Sequence, residues 1–138
     1  MQIIRSFFTF ALFVFTSTTY AQNRILHYKP EKVVLQGTIE IQTFPGAPNY
    51  ESIKEGDKIE KGWILKIDDP FDMVPTSHDE DVEAAPEKNI KFVHLAIMND
   101  KIWPELKQGK HVSVEGVIYH RENGHHHSRV LLETEKLW

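Results

Sequence analysis

The stretch KFVHLAIMNDKIWPELKQGKHVSVEGVIYH, residues Lys91 to His120, decides the fold. It opens and closes on runs rich in β-branched and aromatic residues, Lys91 to Met98 and His111 to His120, which read as strands. Between them, Asn99 to Gln108 (NDKIWPELKQ) predicts one helical turn, capped by Asn99 or Asp100 and limited in length by Pro104. Working outward, three further strands are predicted. These are Lys32 to Phe44 (KVVLQGTIEIQTF), Trp63 to Ile67 (WILKI, stopped by Asp68-Asp69-Pro70) and Arg129 to Leu137 (RVLLETEKL). A short helix between the third and fourth of five strands is the order of an OB barrel. Gly37 and Gly116 fall in the middle of the first and fourth strands, where a strongly coiled barrel strand needs a residue without Cβ. The expected class is therefore all-β with one short helix, a five-stranded OB-like barrel. A five-stranded sandwich or meander fits the same pattern.

Residues 1–21 read as a segment apart from that domain. Arg5 supplies a positive start and Phe7 to Phe15 (FFTFALFVF) an apolar core. Thr16 to Ala21 follow, with Thr19 and Ala21 at the positions a signal peptidase reads. This is the pattern of a secretory signal peptide, and its apolar run falls short of the roughly 20 residues a membrane span needs. Residues 22–138 then form one secreted or periplasmic domain, expected to be a monomer. The chain has a formal net charge of −4. Processing would remove Arg5 and leave it more acidic, which argues against nucleic acid as a partner. The sequence contains no cysteine, so stability must come from the core rather than from disulfides.

Three stretches carry a family resemblance: FPGAPNYESIKEGDKIEKGWIL at Phe44 to Leu65, GKHVSVEGVIYH at Gly109 to His120, and NGHHHSRVLLE at Asn123 to Glu133. Together they resemble the bacterial exported family catalogued as domain of unknown function 4431. The resemblance implies a single exported domain, in a Gram-negative periplasm, and implies no activity.

The most chemical-looking segment is the fourth turn. Asn123-Gly124 predicts a type I′ hairpin, which would pair Glu122 with His125, Arg121 with His126, and His120 with His127. By strand alternation His120, Glu122, His125 and His127 would share one face. Opposed residues there lie about 5 Å apart at Cβ, close enough for two or three imidazoles to meet one Zn²⁺, Cu²⁺ or Ni²⁺ ion. A bulge at Gly116 would put Val112, Val114, Val117 and Tyr119 on the core face and turn His120, His125 and His127 outward. An inert polar loop fits the same residues, as does one that meets a partner or responds to pH. His27, His78, His94 and His111 are scattered and read as structural or surface residues, and Trp63 as core.

The second distinctive segment is the long connection Phe44 to Gly62, stiffened by Pro45 and Pro48 and carrying Phe44, Asn49, Tyr50 and Glu51 as candidate ligand-binding residues. In an OB barrel this loop and the one before the last strand flank one binding face. Phe44 and Tyr50 plugging the barrel end is the competing reading. The acidic stretch Asp68 to Asn89 reads as a solvated loop. No phosphate loop, zinc-protease helix or nucleophile elbow is present. The function expected is a non-enzymatic binding module for an envelope protein, peptide or saccharide. An envelope metal protein using His120, His125 and His127 is the alternative, and a metal-assisted hydrolase a distant third.

Overall fold

The computed structural model describes residues 23–76 and 85–138. The expected signal peptide over 1–21, His78, and Asp79, Glu80, Asp81 and Glu83 lie outside the described residues. Six strands form: β1 (Arg24–His27), β2 (Lys32–Pro45), β3 (Ile59–Val74), β4 (Glu87–Ile97), β5 (His111–His120) and β6 (Val130–Leu137). The last five close on themselves in the order β2-β3-β4-β6-β5-β2. All contacts are antiparallel except β4–β6, which is parallel. This is the OB order, so the barrel is borne out over the sandwich.

Alternation writes the core directly. In β2, Val33, Leu35 and Ile39 point inward while Lys32, Val34 and Gln36 point out. Leu65, Phe71 and Met73 from β3, Val93 and Leu95 from β4, and Val112, Val114 and Ile118 from β5 complete one cluster with Val130 and Leu132 from β6. Trp63 packs against its margin. Gly37 and Gly116 sit where backbones touch. An added Cβ would lie 2.1 Å from the Lys66 carbonyl oxygen at Gly37, and 1.9 Å from that of Glu133 at Gly116.

Several expectations change. The predicted helix is a 3-10 turn, Asp100–Glu105, whose N-cap Asn99 accepts from the Lys101 amide at 3.1 Å. Its Ile102 and the following Leu106 are buried in the core. Asp68-Asp69-Pro70 does not end its strand. β3 runs through these residues, which are skipped as the register with β4 jumps from Lys66↔Phe92 to Phe71↔Ile90. The 68–89 stretch is therefore strand at both ends, not loop throughout. β1 was not anticipated: it is four residues long and pairs in parallel with β3, and the next residue, Tyr28, is buried. The irregularity at Gly116 leaves Glu135 of β6 unpaired and does not turn β5 over. Ile118 is in the core, with Val117 and Tyr119 on the other face, and His120 shares the parity of Ile118.

Candidate functional site

The loop after β2 is organised by one carboxylate. Asp57, 6% exposed, accepts from the backbone amides of Asn49, Glu51 and Ser52, each at 2.8 Å. The Ser52 amide, then those of Asn49 and Glu51, hold its carboxyl below the usual range. The chain wrapped around Asp57 forces Tyr50 to a φ of 60°, and its amide bonds the Gly46 carbonyl at 3.0 Å. Only two non-glycine residues among those described have positive φ, Tyr50 and Asn89. A bulky residue held there is uncommon and must be imposed by its surroundings.

Tyr50 meets the loop before β6. That loop spans residues 121–129, because the register of β5 and β6 ends at His120↔Val130. The predicted type I′ hairpin does not form. Asn123 instead bends the chain through its own side chain, which accepts from the His125 amide at 3.0 Å, while its carbonyl accepts from the His126 amide at 3.2 Å. Gly124 then lies flat on Tyr50, where an added Cβ would be 2.6 Å from the ring.

Glu60 of β3 clamps the loop before β6. One carboxylate oxygen lies 2.6 Å from Nδ1 of His125 and the other 2.8 Å from Nε2 of His127. With Nδ1 of His125 donating to Glu60, its Nε2 is the acceptor for the Tyr50 hydroxyl at 2.9 Å. His127 is stacked between Phe44 (centroids 4.2 Å, planes 5° apart) and His94 of β4 (5.5 Å, 21°). Gly62 leaves room for this stack, since a Cβ there would come within 3.5 Å of all three rings. Nδ1 of His94 faces the His127 amide at 3.3 Å, which requires a neutral ring. Burial, then the neighbouring His127 and His126, push His94 down to about 4 against the opposing pull of Glu60. Burial also lowers His126, whose Nδ1 accepts from the Glu122 amide at 3.0 Å.

Between the loops lies a cleft of about 490 Å³, lined by Phe44, Tyr50, Arg121, Glu122, His126 and His127 among others. Phe44 and Tyr50 thus stand where the sequence reading put them. Asn49 and Glu51 do not line the cleft; their amides hold Asp57. Of the proposed metal ligands, His125 and His127 meet on Glu60, but His120 does not join them. His120 sits in another cluster, 3.1 Å from Glu87 and edge-on to Tyr28, with Arg129 on the second Glu87 oxygen at 2.8 Å. The cause is the longer loop, which removes the cross-strand pairing that would have aligned His120, Glu122, His125 and His127. Among the described residues, no group of three or more His, Asp or Glu is placed to hold a metal ion. Glu60 and Asp57 were missed, and His94 was read only as a structural or surface residue. The partners of Glu60 and His94 lie far away in sequence, whereas those of Asp57 lie five to eight positions before it. The position of Glu60 opposite Phe44 in the β2–β3 register could have pointed to it.

Residues 92–138 match the family described as a domain of unknown function, DUF4431. Of the three resembling stretches, Gly109 to His120 and Asn123 to Glu133 lie within the match, and Phe44 to Leu65 lies before it. No curated protein matches the chain. Among the described residues no helix is long and apolar enough to cross a membrane.

Proposed function

We propose, for a chain that carries DUF4431 over residues 92–138, an exported, non-enzymatic binding module whose site is the cleft between residues 44–62 and 121–127. The observation that carries this reading is Tyr50. A buried carboxylate and three backbone amides are spent on holding a large aromatic side chain at positive φ against the cleft. Strained residues of this kind concentrate at ligand sites. The cleft is within the size range of small-ligand sites, and it mixes aromatic surface with a guanidinium, imidazoles and an amide. The clamp of Glu60 on His125 and His127 pre-organises the 121–127 wall, and the Asp57 bonds pre-organise the wall that carries Tyr50, which lowers the entropic cost of binding. Export is supported by the Arg5, Phe7–Phe15 and Thr19/Ala21 pattern.

Two measurements test it. N-terminal sequencing of the protein recovered from the envelope should begin at Gln22; a start at Met1 in the cytoplasm overturns export. Amide and side-chain NMR shifts of the labelled protein should then be followed against envelope saccharide and peptide fractions. Shifts concentrated on Phe44, Tyr50, Arg121 and His126 support the site, and shifts confined to β1 and the 3-10 turn at 100–105 overturn it.

A further inference from the structure

His127 lines a second groove, of about 330 Å³, which runs over β3 and β4 and is bounded by Gln42, Asn89, Lys91, Phe92, Ser128 and Arg129. One ring is thus common to two adjacent recesses, and each recess holds one of the two positive-φ non-glycine residues, Tyr50 and Asn89. We infer that the two grooves form one site for an anionic oligosaccharide, with Phe92 and Tyr50 meeting sugar rings and Lys91, Arg121 and Arg129 meeting acid groups. The inference rests on reading this face as a binding site.

Charge points to an anion. The chain carries a formal net charge of −4, yet the formally charged residues lining the two grooves are Arg121, Lys91 and Arg129 against Glu122 alone. Arg129 is held in place by Glu87 at 2.8 Å and by the Lys88 carbonyl at 3.1 Å, with further N–H donors left over. No ion pair engages Arg121 or Lys91 among the described residues.

Polar chemistry points to a sugar. Gln42 donates to Glu40 at 2.9 Å and keeps its carbonyl oxygen, and Ser128 donates to the Phe92 carbonyl at 2.7 Å and keeps its lone pairs. These are acceptors for hydroxyls, beside the amide side chain of Asn89. Phe92 is 43% exposed on the same face, an apolar platform for the C–H side of a ring. A nucleic acid strand would call for successive stacking aromatics and a continuous basic track. An extended peptide would need a free sheet edge, and here β3, β4 and β6 are already paired to one another.

The test is calorimetry and NMR on the processed chain with four probes: a hexasaccharide alternating glucuronate with N-acetylglucosamine, a neutral N-acetylglucosamine hexamer, oligothymidylate, and a mixed peptide pool. The expected result is binding of the acidic hexasaccharide about tenfold tighter than the neutral one, weakened about tenfold by Phe92→Ala and by the pair Lys91→Ala/Arg121→Ala. These side chains are exposed, so unchanged thermal unfolding of the variants shows that the loss is not one of folding. Equal or tighter binding of the neutral hexamer, or of oligothymidylate, overturns the inference. Peptide shifts at Tyr50 and His126 without any saccharide response overturn it too, while leaving the binding face intact. Silence of both grooves to all four probes overturns the inference and the binding face together.

Discussion

Phe44 and His127 lie face to face, their ring centroids 4.2 Å apart and their planes 5° from parallel. The contact joins the end of β2 to the loop before β6, two parts of the chain linked otherwise through Glu60. Phe44→Ala should lower unfolding stability by about 1–3 kcal/mol, combining the stacked pair with lost apolar burial. Urea denaturation measures it. A loss below about 0.5 kcal/mol would show that the stack is held by the rest of the loop rather than holding it.

Gly124 has no room for a side chain. An added Cβ would stand 2.6 to 2.8 Å from three ring atoms of Tyr50. Gly124→Ala should therefore displace Tyr50 and break its hydroxyl contact with His125, seen as a large change in the Tyr50 ring resonances. Adding Tyr50→Ala should make the Gly124 substitution nearly neutral, because the obstacle is gone. Additive losses of stability in the double variant would contradict the assigned contact.

Asp57 supplies an acid-sensitive contribution. Its carboxyl is lowered in the fold by three amide donors. The stability that it adds is thus fully present above the unfolded value of about 3.9, and is lost as pH falls through the lower folded value. The stability difference between the native protein and Asp57→Asn should be constant above about pH 5 and shrink below about pH 4. A difference that persists unchanged into acid would assign the effect to shape rather than to charge.

His94 acts with the opposite chemistry. Held down to about 4 from 6.5, it stays neutral in the fold while the unfolded chain takes up a proton. Between those values the unfolded state binds more protons, so stability falls as pH falls from about 6.5 to about 4. His127, His126 and Glu60 also face this ring, so the comparison must isolate it. Relative to His94→Gln, the native protein should lose stability as pH drops across that window, read from denaturation midpoints. A pH-independent difference would sink the assignment.

Much of the barrel was legible because period-two patterning survives in Val33, Leu35 and Ile39 and in Val112 and Val114, and because NDKIWPELKQ marks the turn between the third and fourth barrel strands. The meeting of residues 44–62 with 121–127 was legible as well, since it follows from strand order alone. The details were not. Asn123-Gly124 reads as a hairpin only if both residues serve the backbone turn, and here the Asn123 side chain is spent on the His125 amide. Asp68-Asp69-Pro70 reads as a stop, but a barrel strand can pass through a bend when its partner skips the same residues. Glu60 gave no local sign, since its partners lie 65 and more positions away.

The place of β6 between β4 and β5 governs the order of events in folding. Until the last strand in chain order arrives, β4 and β5 each present a bare edge, and the ring cannot shut. Through that interval the chain carries two open seams of the kind that invite chain-to-chain pairing. Late closure dominated by distant pairings is the kinetic signature of such a topology.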